Sequence, residues 1–382
     1  MSPLLLAPLL LAQLSLRGGE PAPPGRIARL DPAGVFIAAG PETAGDTPTL
    51  VITWDRVRAI DGPFAQRAAP FLPAADSLWR ARTRLERGDT PAAERLFESL
   101  FLAARASPSP TSAVVAEGLL RCRLRRGAHL LAIEPWLALL DARDASTLPR
   151  LHEHWAEEAG LPAILDDATG LVPALPPIWV AWPSMMAFAN GPEPATPASS
   201  RAATLGALYL AAARAEVGRL GPLPRVPASD PGAQLVWNIL AARAGDPEQR
   251  ENARKSLRER TRSWPGGGPT PAWAVAWCRA AIGRSLLLEP TLDRRQAGLI
   301  ELLSIPAELA SAHPYLSGLA LAESAATLHA LGDRTGATTL ASELAQRYPG
   351  HPALDWDMIR ALRRAPEPTP APNASSPKEP LP

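Results

Sequence analysis

The fold class predicted by this sequence is mainly α: stacked α-hairpins forming a solenoid, preceded by a small N-terminal antiparallel β-meander. Three observations predict it. From Ala74 onward, apolar residues recur at three- and four-residue intervals over most of the chain. Gly-Asp pairs at Gly88-Asp89, Gly245-Asp246 and Gly332-Asp333 punctuate the periodic stretches, as helix ends followed by new helix starts require. Before Ala74 the pattern differs: short β-branched or aromatic runs alternate with turn residues.

The opening MSPLLLAPLLLAQLSL is an apolar run of signal-peptide length, too short to span a bilayer as a permanent helix, and residues 1–16 are read as a leader. It has no basic residue before the run, and Ala12 is the best candidate for the end of a cleaved segment. Residues 17–26 form a Pro/Gly linker. Residues 27–62 make the meander, with Asp31-Pro32-Ala33-Gly34 as a turn between two strands. Val51, Ile52 and Trp54 begin a third strand, and Val57 and Ile60 lie on a fourth. About four short strands need a support, and the helical body is the available one.

Helical repeats occupy 74–160. Leu78, Ala81 and Leu85 share a face, as do Ala93, Leu96, Phe97 and Leu100. Thr90-Pro91 opens the second helix, a hydroxyl cap followed by a proline where no amide donor is needed. Further helices are predicted over 112–127, 129–143 and 147–160. Pro135 kinks the 129–143 helix or delays its start. Residues 161–200 break the pattern with repeated prolines, yet Ile178, Trp179, Val180, Trp182, Met185, Met186 and Phe188 are too apolar for a free linker. Helical repeats resume over 201–364, with SWPGGGPTP as an interruption. The proline-rich tail 365–382 has a disordered composition.

Composition narrows the function classes. The 382 residues are 46% hydrophobic and 20% charged, enough to build a core. A net charge of +1, from 39 basic and 38 acidic residues, argues against nucleic acid or an anionic membrane as partner. Cys122 and Cys278 do not make a disulfide framework. The sequence has no glycine-rich phosphate loop, no Gly-x-Ser-x-Gly elbow and no Cys-x-x-Cys pair, so no cofactor is expected.

The corners align with one another. Gly332-Asp333 followed by Ala337, Leu340 and Leu344 matches Gly88-Asp89 followed by Ala93, Leu96 and Leu100, with Ala325 and Ala81 each seven residues before the glycine. Gly127 with Ala132, Trp136 and Leu139 gives a third version, whereas the residues after Gly245-Asp246 do not follow. In these positions the chain resembles the tetratricopeptide repeat family. Residues 318–351 supply Leu321, Ala325, Leu328, Ala337 and Pro349 at matching places, and depart at Ser324 and at Ala341, where an aromatic is usual. The first unit supplies Ala81, Ala93 and Phe97 but carries Arg84 at an aromatic site. The resemblance implies stacked helix pairs that bind a protein or peptide along a concave face.

Several residues carry possible chemistry. Trp179 and Trp182, between prolines, suit a partner peptide or a sugar face, or the inside of a curved array. Arg84 lies with Arg80 and Arg87 on one helix face, which reads either as an anion site or as a solvated face. His152, His154, Glu157 and Glu158 are possible metal ligands without the HExxH spacing. Asp166, Asp167 and Glu157 are candidate acids for glycoside hydrolysis, which needs two carboxyls across a cleft. The leading expectation is a non-catalytic, exported scaffold, periplasmic or associated with the cell envelope. It binds a protein or peptide through Trp179, Trp182 and Arg84, with no metal, no nucleic acid and no stable membrane span after leader removal. The rival is a glycan-active enzyme on a helical scaffold; a lipid or envelope-assembly factor is a third reading.

Overall fold

The computed structural model describes residues 14–39, 47–145, 148–149, 155–179, 183–191, 200–265 and 267–364. Most of the leader, the start of the 147–160 helix, Trp182 and the tail 365–382 lie outside these residues. The described chain is mainly helical, with small antiparallel sheets at its N-terminal end. It divides into two compact units, one of residues up to Trp179 together with Pro183–Leu240, the other from Ala241 onward.

The first unit begins with five strands, β1 (Leu14–Leu16), β2 (Arg26–Asp31), β3 (Gly34–Ala38), β4 (Leu50–Ile52) and β5 (Val57–Ile60). Strands β2, β3 and β4 form one antiparallel sheet, and the Asp31 carboxylate accepts the Ala33 N–H at 2.8 Å to close the predicted turn. Three corrections follow. Leu14–Leu16, read as the end of the leader, is a strand, and its partner is β5. Strand β5 therefore does not extend the meander but makes a separate two-stranded sheet. Trp54 is not in a strand: Trp54–Arg56 is a 3-10 turn. Its indole donates to the Asp31 carbonyl at 2.9 Å, so the ring folds back over the turn rather than following strand alternation.

Helices α1 (Ala65–Ala68), α2 (Leu72–Glu86), α3 (Thr90–Ala106), α4 (Pro110–Arg125) and α5 (His129–Asp144) follow. The sheets pack on α1 and α2, where Val35, Ile52, Trp54 and Val57 meet Ala68 and Ala75. Charge ties the same layers together: Asp55, almost wholly buried, pairs with Arg82 of α2 at 2.5 Å, and Arg82 also reaches Glu86. Each of α2 to α5 packs on the next, and α2 also meets α4. Asp89, not Thr90, caps α3, accepting the Ala92 N–H. Pro135 neither kinks α5 into two helices nor delays it. The proline removes the amide that would reach the Leu131 carbonyl, and Arg123 Nη1 takes that acceptor at 2.6 Å.

After α6 (Trp155–Glu158), the proline-rich segment 161–179 runs without helix and is core rather than linker: Leu171, Leu175 and Ile178 are buried. Its carbonyls are claimed by the helices. Trp136 Nε1 donates to Gly170, Arg121 to Pro162 and the hydroxyl of Tyr209 to Leu175. Helices α7 (Pro183–Asn190) and α8 (Arg201–Glu216) complete this packing, and the unit boundary falls within α9 (Pro231–Ala244).

The second unit holds α10 (Pro247–Arg260), α11 (Ala272–Leu287), α12 (Leu292–Glu308), α13 (Pro314–Ala330), α14 (Arg334–Arg347) and α15 (Asp357–Arg364). Consecutive helices again pack on one another, and α11 also meets α13. The corners at Gly88, Gly127 and Gly332 share one geometry, which Gly245 does not adopt. Gly88 and Gly332 have φ of 83° and 92°, a region open to glycine at no steric cost. At each, the following aspartate N–H reaches back to the carbonyl five residues earlier, Asp89 to Arg84 and Asp333 to Leu328, both at 2.9 Å. The glycine N–H bonds three residues back, to Leu85 and His329. Ala128 and Gly127 make the same two bonds to Arg123 and Leu124. The four alanines of the aligned pattern, Ala81, Ala93, Ala325 and Ala337, are each 0% exposed.

Candidate binding site

The residues predicted from sequence separate in space. Trp179 is 4% exposed and packs its ring 6.0 Å from Tyr209 and 6.4 Å from Phe188, so it fills the interior of the first unit instead of meeting a partner. The flanking prolines mark an extended segment but do not say which way it faces. Trp182 lies outside the described residues. Arg84 is exposed and pairs with Asp89 at 2.7 Å, bracing the corner whose carbonyl it also supplies.

Among the described residues, Asp166 and Asp167 do not line a cleft large enough for a sugar. Asp166 Oδ1 accepts the Thr169 N–H at 2.9 Å and its hydroxyl at 2.6 Å, closing a local turn. Glu158 pairs with Arg56 at 3.2 Å. Asp167 lines a recess with Glu117, Arg121 and Arg143 of about 10 Å³, room for one water and not for a sugar ring. The Glu157 side chain, His152 and His154 lie outside the described residues. Among the described residues, no group of three His, Cys, Asp or Glu side chains could hold a metal ion. Both thiols are free and buried, and burial pushes Cys122 and Cys278 up to about 12, far from the thiolate that reacts.

A different site emerges from the first hairpin. A cavity of about 180 Å³ opens where α2, α3 and the start of α4 meet the β2–β3 turn. Trp54, Phe71, Leu78, Leu100 and Val115 form its apolar walls, with Trp54 and Phe71 stacked at 4.8 Å. Space comes from alanines: Ala74 and Ala75 on α2, Ala103 and Ala104 on α3. Larger side chains there would close it. At one end stand Ser109, Thr111 and Ser112, whose hydroxyls already have partners. Ser109 and Ser112 cap one another's backbone at the start of α4. Thr111 Oγ1 donates to the Ala33 carbonyl at 2.8 Å and accepts the Trp54 N–H at 3.1 Å. No ionisable residue lines the cavity. Nothing in the residue pattern marks it, because its alanines sit on separate helices and read as ordinary helix formers.

Comparison with known proteins adds no relative: no family model, no curated protein and no solved structure matches this chain. No helix among the described residues is long and apolar enough to cross a membrane.

Proposed function

We propose that this chain is a non-catalytic scaffold of the tetratricopeptide-like type, exported to the periplasm or cell envelope, where it binds a protein or peptide partner. The observation that carries the binding role is the cavity at the first hairpin: open to solvent on one side and walled by aromatic and aliphatic side chains, with the hydroxyls of Ser109, Thr111 and Ser112 engaged by backbone. Such a site suits recognition and offers no nucleophile or proton relay. Shared corner geometry at Gly88, Gly127 and Gly332, with four buried alanines, supports stacking of hairpins into a solenoid. Export rests on the apolar opening run alone. For the glycan-hydrolase reading, Asp166 is engaged in a local turn and the recess beside Asp167 has room for one water only.

Two measurements test the proposal. Cross-linking the full chain to its partners in cells should give links that map to α2 and α3. Links confined to other surfaces, or no reproducible partner, contradict the binding role. An alkaline phosphatase fused after residue 30 should be active, since that enzyme folds only after export; an inactive fusion contradicts the localisation.

A further inference from the structure

The chemistry of the first-hairpin cavity narrows what it holds. The hydroxyls of Ser109, Thr111 and Ser112 each hold a backbone partner, and the remaining polar side chain of the lining is the exposed Ser107, so the wall offers an occupant little polar contact. Without an ionisable wall residue, a charged group would lose its hydration with nothing in return. The volume of about 180 Å³ is somewhat larger than an apolar cavity of about 150 Å³ that accepts benzene. One ring or one branched alkyl group fills it. Ala74 and Ala103 on the walls are exposed, so the mouth faces solvent and whatever carries that group remains outside.

Magnitude then separates a free molecule from a tethered one. Burying a single Phe- or Leu-sized group strengthens binding about 10- to 150-fold. Alone, that cannot hold a free molecule of this size below millimolar concentration. Added to the other contacts of a peptide, it makes an anchor. We infer that the cavity between α2, α3 and the start of α4 seats one large apolar side chain, aromatic or branched, from a segment of a protein partner. This rests on the scaffold reading above and adds the chemistry of the residue recognised.

The test is selection of displayed 12-residue peptides on the full chain, followed by affinity measurements on the parent and on two filled variants, Ala104→Leu and Ala74→Leu. The selected peptides should share one Phe, Trp or Leu, and its replacement by alanine should weaken binding about 10- to 150-fold. Ala104→Leu should weaken binding as much, with an unchanged circular-dichroism spectrum. If Ala104→Leu fails to fold, Ala74→Leu on the exposed wall decides. Peptides that bind the filled variants as tightly as the parent overturn the inference while leaving the scaffold reading standing. A chain that selects no peptide overturns both. Toluene binding tighter than millimolar to the parent, with no peptide selected, would make the site a small-molecule pocket and also overturn the inference.

Discussion

The two units solve the same packing problem with different residues. In the first, Phe97 of α3 lies against Gly118 of α4 so closely that a Cβ on that glycine would come within 2.1 Å of the ring's Cζ. In the second, α14 offers only the small Ala341 where the family pattern expects an aromatic. The ring against a helical glycine there is His351, after α14, and a Cβ on Gly318 of α13 would come within 2.5 Å of it. His351 is fixed in that place: its Nδ1 accepts the Ala353 N–H at 3.1 Å, so Nε2 donates to the Tyr315 carbonyl at 2.9 Å. Helices α11 and α12 dispense with a ring altogether, and a Cβ on Gly298 would meet the Gly283 carbonyl at 2.8 Å. Close approach of neighbouring helices is common to both units; the group that fills the space is not.

Buried charge gives the sharpest way to separate the units. In the first, Asp55 is 1% exposed beside Arg82; in the second, Glu323 of α13 is 15% exposed and pairs with Arg284 of α11 at 2.8 Å. Removing one partner leaves the other charged and poorly hydrated. Asp55→Ala should therefore lower the unfolding free energy by about 3 kcal/mol or more in urea titrations, and Glu323→Ala by less. Equal losses would remove this distinction.

The glycine contacts give the next largest effect, and a sign reversal. An alanine is favoured over glycine in a helix by about 1 kcal/mol, whereas overpacking costs about 1–3 kcal/mol. Gly118→Ala should thus be net destabilising by up to about 2 kcal/mol in the parent, and stabilising once Phe97→Leu has made room. Gly318→Ala should behave likewise against His351→Ala. Additivity in either cycle would break the parallel between the units.

The smallest effect belongs to His129, at the start of α5, whose imidazole burial holds below its ordinary value. The folded state resists a proton that the unfolded chain accepts, so the neutral ring contributes stability above about pH 6.5 that is lost as the pH falls. Denaturation midpoints should decline from pH 7 to 5, and His129→Gln should flatten part of that slope. A slope unchanged by the substitution contradicts the assignment.

Local signals were legible and distant ones were not. The corners at Gly88 and Gly332 announced themselves because a positive φ and an aspartate cap are needs of adjacent residues. Helices α2 to α5 and α8 to α14 followed from apolar period for the same reason. Thr90 was mistaken for a cap because Asp89, beside it, is an equally good one. Strand β1 was hidden inside an apolar opening run, and its pairing with β5 spans more than forty residues, which no window of sequence reports. Trp179 carried an ambiguous signal: an apolar ring on an extended segment suits a core or a partner equally. Of the candidate site, neither the alanine spacers nor the walls could be read, since the cavity exists only where three helices and a turn converge.

The packing account stands on the two ring-to-glycine contacts, and nuclear Overhauser spectroscopy on selectively labelled protein reads them directly. Cross-peaks between the Phe97 ring protons and the Gly118 α-protons, and between the His351 ring and the Gly318 α-protons, are the predicted result. Rings that instead show contacts only to solvent, with no cross-peak to either glycine, would contradict it.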